Sequence, residues 1–188
     1  MSRLWAEPFL DILDQAGRTF TDIDEPIGRS DLEGLLGDRR IIAYIGHADA
    51  SSLGQYTILV HEGNVGLAAG STIVAIACGS ASRLGRSAVS RGVVAYLGFG
   101  DDLFVYEDAC IAAAPAMLEL LRGVVEATSS DRLDELAEAF RDEVQRLSAE
   151  YLDDPSSVPG FFDDPGHVIM ALKLMNRDFE VLHQGESD

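Results

Sequence analysis

Positively charged residues are scarce in this sequence. Its 188 residues include 14 Lys and Arg against 32 Asp and Glu, so the formal net charge is −18. Lys173 is the only lysine, and the densest basic group consists of Arg83, Arg86 and Arg91. Nucleic acids and anionic membrane surfaces are recognised by larger clusters of Lys and Arg side chains. The sequence therefore predicts no nucleic-acid partner and no membrane partner.

Cysteines and long apolar runs are also scarce. Cys78 and Cys110 are the only cysteines, which is too few for a disulfide framework and favours thiols in a cytoplasmic protein. The longest weakly polar run, residues 65–81, is shorter than the ~20 residues of a membrane-spanning helix. Acidic side chains interrupt the apolar residues that follow Met1, so we expect no signal peptide.

Apolar residues are nevertheless abundant enough to build a folded core. Hydrophobic residues make up 47% of the chain and charged residues 24%, a mixture that is typical of globular proteins. Since a domain usually has roughly 100–200 residues, this length predicts one domain with a small appendage.

Continuous apolar runs indicate the core strands. They are residues 41–45, 73–77 and 93–97. Runs of this kind, rather than alternating ones, are typical of a parallel sheet that helices cover on both faces. Residues 57–60 and 65–67 predict a small hairpin between the first two strands, and residues 80–90 predict a short crossover helix. The pattern predicts an α/β domain with a mainly parallel central sheet over residues 1–128.

The chain after Gly100 is predicted to be mostly helical, with a loop at residues 153–166, and a short strand is predicted at residues 19–23. The predicted helices are residues 4–16, 31–36, 107–125 and 168–175, and one that begins at Ser130. That last helix carries an apolar stripe formed by Leu133, Leu136, Phe140, Val144 and Leu147. We expect residues 129–188 to be a helical extension whose stripe packs on residues 168–175, on the sheet domain or on a partner.

Reactive side chains follow two of the predicted strands. His47 comes after residues 41–45 and Gly46, and Cys78 comes directly after residues 73–77. Active sites of open α/β sheets lie beyond the carboxyl ends of the strands. A cysteine thiolate is a strong nucleophile, and a neighbouring imidazole can generate it. The alternative is that Cys78 is a small buried hydrophobic residue and His47 a structural one, as we expect of Cys110 in its apolar helix.

A resemblance to a known family favours the catalytic interpretation. The Tyr-Ile-Gly-His segment at residues 44–47, residues 73–81 and residues 91–97 resemble the caspase-like cysteine peptidases, and most nearly their CHAT type. In that family one apolar strand ends in His and a later strand ends in Cys. The resemblance covers residues 10–125 and implies a caspase-like three-layer sandwich with C-terminal helices. It also implies a cysteine endopeptidase that acts on proteins without a metal or cofactor.

The same resemblance implies a role for each site residue. Cys78 is the nucleophile, His47 is the general base and acid, and the backbone N–H groups of Cys78 and Ala48 hold the oxyanion. The family has Gly after its His, whereas this chain has Ala48 there and Gly46 before the His. Asp49 follows closely; we interpret it as a solvated loop carboxylate rather than as the group that orients the imidazole.

Acidic residues near the same sheet edge predict the specificity. The resemblance implies that Asp101, Asp102 or Asp108 lines the pocket for the residue before the scissile bond. A carboxylate there favours a basic residue, and Arg over Lys because its guanidinium forms two hydrogen bonds. The alternative for Asp101 and Asp102 is a turn or a helix cap.

Two further interpretations stay open at this point. Ala48 and the absence of a family tryptophan are compatible with a catalytically inactive caspase-like module that binds or scaffolds a partner. The short chain also favours a regulatory protein partner that controls activity. An unrelated amidotransferase-like cysteine enzyme is disfavoured, because His47 precedes Cys78 and such enzymes place the His later.

Overall fold

The computed structural model describes residues 3–17, 29–36, 40–54, 58–101, 107–127, 130–157 and 165–185. The chain divides into a helical unit, Met1–Ile12 with Leu103–Phe179, and a sheet unit, Leu13–Asp102 with Glu180–Asp188. The boundary predicted between residues 128 and 129 lies inside the helical unit, and as a division into domains it stays a prediction. The predicted strand at residues 19–23 lies outside the described residues.

A four-stranded sheet forms the centre of the sheet unit. Its strands, in spatial order, are β1 (Ile41–Ile45), β5 (Thr72–Ile76), β6 (Ala95–Phe99) and β7 (Phe179–His183). The first three are parallel neighbours, which confirms that the three apolar runs share one parallel arrangement. Gln184 N–H donates to the Val94 carbonyl oxygen, and Glu180 lies beside Gly100, so β7 runs antiparallel to β6. The sheet is therefore mixed, and the fold is α/β.

The predicted hairpin between the first two core strands is wrong. Three short strands form a separate antiparallel sheet instead: β2 (Ala48–Asp49), β3 (Ser52–Leu53) and β4 (Val60–His61). Val65–Ala68 is a 3₁₀ helix and not a strand. The buried Asn64 side chain accepts a hydrogen bond from His61 N–H and donates one to the Leu59 carbonyl oxygen. These bonds close a turn, and residues 65–67 cannot extend back along β4.

One face of the four-stranded sheet packs into a continuous core of the sheet unit. A π-helical turn (Ala81–Gly85) and α3 (Arg86–Ser90) follow β5, which confirms the predicted crossover helix. Gly85 permits close packing, because a Cβ there would lie 2.9 Å from the buried ring of Tyr96. The helix α2 (Arg29–Leu36) adds Leu36 to the same core.

Long helices form the helical unit. They are α4 (Glu107–Glu126), α5 (Ser130–Asp153) and α6 (Pro165–Asp178), and the chain begins with α1 (Arg3–Gln15). The predicted stripe of α5 is buried, and α5 packs against α4 and α6, so the expected pairing of the two C-terminal helices is confirmed. The Arg141 guanidinium donates to the Phe179 carbonyl oxygen at 2.9 Å, which ties α5 to the residue that follows α6. No helix in the described part of the chain is both long and apolar enough to cross a membrane.

Candidate functional site

The carboxyl ends of three strands lie side by side, with β5 in the middle. Ile45 of β1 and Ile76 of β5 are register partners, and His47 and Cys78 each follow two residues later. The pairing continues past β1, because Gly46 N–H donates to the Ile76 carbonyl oxygen at 3.2 Å. Neighbouring strands are about 4.8 Å apart. The structure therefore brings the segments that contain His47 and Cys78 together at one sheet edge.

Further backbone bonds hold the two segments together beyond the sheet. The Ala50 carbonyl oxygen accepts hydrogen bonds from Arg83 N–H at 3.2 Å and Leu84 N–H at 2.8 Å. The segment that contains His47 is thus tied to the segment that contains Cys78 on both sides of these residues. Cys78 is half-buried and His47 is exposed. The thiol is thus partly sheltered, and the imidazole is accessible to solvent.

The turn after Cys78 has a simple local cause. Gly79 takes a positive φ of 55°, and its carbonyl oxygen accepts from the Ser82 hydroxyl at 2.7 Å. No non-glycine residue in the described ranges has a positive φ, so the left-handed residue of this turn is Gly79 and not Cys78. A strained elbow that carries the nucleophile itself is therefore absent at Cys78, which is further evidence against the amidotransferase-like interpretation.

The carbonyl of His47 has two hydrogen-bond donors. Tyr44 Oη donates to it at 2.7 Å, and Gly54 N–H donates to it at 2.9 Å. In the β2–β3 ladder, Ala48 is opposite Leu53. Because Gly54 bonds to His47, the pair of Ala48 and Leu53 is a non-hydrogen-bonded pair, and the Ala48 N–H points away from β3. The family resemblance implies that this N–H donates a hydrogen bond to the oxyanion.

Asp49 serves the turn between β2 and β3. Its Oδ1 accepts hydrogen bonds from Ser51 N–H at 2.7 Å and from Ser51 Oγ at 2.9 Å. The Ser51 N–H, followed by the Ser51 hydroxyl, lowers the pKa of Asp49, because both donors stabilise the charged carboxylate. The exposed side chain therefore closes a turn of the type that Asp favours, as expected of a loop carboxylate.

The three pocket candidates have different positions. Asp101 is exposed at the end of β6, and its carbonyl oxygen accepts from Gly79 N–H at 2.9 Å, so it lies next to the segment of Cys78. Asp102 lies outside the described residues. Asp108 is on α4 of the helical unit, and its side chain is outside the described part, as is that of Cys110. Asp101 is therefore the candidate that the structure brings to the end of β5.

Tyr44 is a site residue that sequence reasoning did not identify. Burial raises the pKa of its hydroxyl, while the nearby Gly54 N–H acts in the opposite direction and less strongly. The signal in the sequence that could have identified Tyr44 is its spacing from His47, because it precedes His47 by three residues with Gly46 between them. Among the described side chains, no group of His, Cys, Asp and Glu is arranged to hold a metal ion.

Comparisons with known proteins give no relative for this chain: no family model, no curated protein and no solved structure matches it. The resemblance to caspase-like peptidases therefore depends on the short segments around His47, Cys78 and residues 91–97. These residues belong to the strand ends, whose geometry bears on function.

Proposed function

We propose that this protein is a cytoplasmic cysteine endopeptidase of the caspase-like, CHAT type, with Cys78 as its nucleophile and His47 as its general base and acid. One observation carries the proposal. His47 and Cys78 follow adjacent parallel strands at equal distances from a register pair, and backbone hydrogen bonds tie their segments together on both sides. Because the two backbone segments are held together, a thiol on one and an imidazole on the other are proposed to meet with little rearrangement.

The proposed reaction begins with the Cys78 thiol. The His47 imidazole removes its proton, and Sγ attacks the carbonyl carbon of the scissile peptide, so that a C–S bond forms and the carbonyl oxygen becomes an oxyanion. The N–H groups of Ala48 and Cys78 donate to that oxyanion, each contributing about 3 kcal/mol in the transition state. The imidazolium then protonates the leaving amine as the C–N bond breaks, and a thioester remains.

Water completes the proposed cycle. His47 removes a proton from a water molecule, whose oxygen attacks the thioester carbonyl carbon and forms the new C–O bond. The C–S bond then breaks, the carboxylic acid product leaves, and the sulfur recovers a proton from the imidazolium. No metal or cofactor takes part in these steps, and a regulatory protein partner is proposed to control access of the protein substrate to the site.

The proposal is tested by labelling and cleavage in parallel. Wild-type protein is incubated with a peptide chloromethylketone and, separately, with a mixed peptide library, and both samples are analysed by mass spectrometry. We expect one label on Cys78 and defined cleavage products, and we expect Cys78→Ala to lose both. Cys110→Ala is the matched control and keeps both. Absence of labelling and cleavage in the wild type would favour the inactive binding module, with which Ala48 is compatible.

Asp101 is proposed to select a basic residue before the scissile bond. Because this carboxylate is exposed, its pairing with a substrate guanidinium is partly screened. We expect Asp101→Asn to lower kcat/KM for Arg substrates about tenfold. We expect kcat/KM for apolar substrates to change little. Asp142→Asn, which removes an exposed carboxylate from α5, is the charge-matched control. Library profiling that yields a preference for Asp or an apolar residue would contradict this pocket assignment.

A further inference from the structure

The Tyr44 side chain connects strand β1 to His47, which lies three residues after Tyr44 in the sequence. Its hydroxyl donates a 2.7 Å hydrogen bond to the carbonyl oxygen of His47. The ring is half-buried, and Tyr44 packs against the core of the sheet unit. A side chain held by packing at its base and bonded at its tip is a rigid support, because few rotamers satisfy both contacts. The bond therefore fixes the backbone at His47.

Gly46 makes room for this connection. A Cβ at Gly46 would lie 2.8 Å from the Tyr44 hydroxyl oxygen and 3.1 Å from the ring carbon that carries it. Gly46 has no positive φ, so backbone conformation does not demand glycine there. The close approach of the Tyr44 ring thus explains why glycine precedes His47. Tyr44, Gly46 and His47 therefore form one hydrogen-bonded unit, in which the Tyr44 hydroxyl passes over Gly46 to reach the His47 carbonyl.

This hydrogen-bonded unit determines the direction of the Ala48 N–H group. The carbonyl of His47 and the N–H of Ala48 belong to one planar trans peptide, in which they point in opposite directions. Tyr44 Oη and Gly54 N–H both donate to this carbonyl. Two donors fix the plane of the peptide more firmly than one, so they also fix the direction of the Ala48 N–H, which points away from β3.

We propose that Tyr44 is a positioning residue that aims the Ala48 N–H at the oxyanion. The catalytic part of this inference rests on the proposed function, whereas the orientation of the peptide rests on the hydrogen bonds alone. Electrostatic stabilisation of an oxyanion depends on donors that are oriented before the reaction. Tyr44 supplies that orientation without touching the substrate.

Tyr44→Phe tests the inference, because it keeps the ring and removes the hydroxyl. We expect kcat to fall about tenfold with KM nearly unchanged, since the oxyanion exists only in the transition state. We expect the rate at which iodoacetamide alkylates Cys78 to stay within about twofold of wild type, because that reaction forms no oxyanion. Tyr96→Phe is the matched control: its buried hydroxyl makes no hydrogen bond of normal geometry with the described residues, and both rates stay unchanged.

A second measurement needs no catalytic activity. The amide resonance of Ala48 in a ¹⁵N–¹H spectrum reports the orientation of the peptide that links it to His47. We expect this resonance to shift or broaden in Tyr44→Phe and in Gly46→Ala, whose Cβ displaces the hydroxyl, and to stay in place in Tyr96→Phe. If the wild type cleaves no peptide, the proposed function fails, and this resonance alone decides the role of Tyr44. An Ala48 resonance or a kcat that is the same in Tyr44→Phe and wild type overturns the inference, as does an equal change in Tyr96→Phe.

Discussion

Replacement of His47 by alanine is expected to lower kcat/KM by about a thousandfold, which is the typical contribution of a general acid–base group. The imidazole is proposed to act twice in each cycle, first as the base for the Cys78 thiol and then as the acid for the leaving amine. Both steps lose their proton carrier in His47→Ala. Progress curves with a fluorogenic peptide, at several concentrations, measure this loss.

His61 provides a matched histidine control in the sheet unit. Its Nδ1 accepts a hydrogen bond from Gly63 N–H at 2.9 Å, and its backbone N–H donates to the Asn64 side chain, so it belongs to a turn. We expect His61→Ala to keep kcat/KM within about twofold of wild type. An equal loss in both variants, or a His47→Ala variant as active as wild type, contradicts the assignment of His47.

Replacement of Phe140 by alanine is expected to have the largest effect on stability, about 3–5 kcal/mol, which is typical of a buried Phe. Phe140 lies on α5 and is 2% exposed. Its ring centroid is 4.5 Å from that of Phe179, at an interplanar angle of 52°. Truncation removes this aromatic contact and leaves a cavity beside α6. Urea unfolding followed by circular dichroism measures the change in the free energy of unfolding.

Leu152→Ala is the control for this stability prediction. Leu152 is also an apolar residue of α5, but it is 60% exposed, so its truncation opens no cavity. We expect the free energy of unfolding to change by no more than about 0.5 kcal/mol. If Phe140→Ala loses as little free energy of unfolding as Leu152→Ala, the packing of α5 on α6 does not stabilise the helical unit in solution.

The core strands were predictable because they are locally encoded. Each is a continuous apolar run between polar or glycine-rich segments, and such runs indicate buried parallel strands. The third strand begins at Ala95, two residues later than the apolar run at residues 93–97 predicts. The position of its start depends on a turn at Gly92, which has a φ of 98°, and on the bond from Gln184 to the Val94 carbonyl. The bond from Gln184 is tertiary, and no local pattern contains it.

The strand β7 and the 3₁₀ helix at Val65–Ala68 could not be predicted from local patterns, because contacts with distant parts of the chain determine them. The strand β7 directly follows α6 without an intervening turn residue, so no local break in the sequence marks where the strand begins. Pairing with the edge of β6, about 80 residues earlier, determines its conformation. The 3₁₀ helix at Val65–Ala68 depends similarly on the buried Asn64, whose amide also donates to the Glu33 carboxylate at 3.3 Å.

The site itself was predictable in part. His47 and Cys78 were found because the end of a strand is visible in the sequence, and parallel neighbours place their ends together. Tyr44 looked like an ordinary strand residue, because nothing local says that its hydroxyl reaches the His47 carbonyl. The proximity of Asp101 to Gly79 likewise depends on the order of β5 and β6 in the sheet.

The pH dependence of Cys78 alkylation tests the central claim most directly, because it reports whether His47 assists the thiol. The rate of iodoacetamide labelling is measured from pH 6 to pH 9 in the wild type and in His47→Ala, with Cys110 replaced by alanine in both. An unassisted thiol slows roughly two hundredfold between pH 9 and pH 6, following its ordinary pKa near 8.5. The account predicts a decline of less than about tenfold in the wild type and the full decline in His47→Ala. The same full decline in both proteins would contradict the pairing of Cys78 with His47.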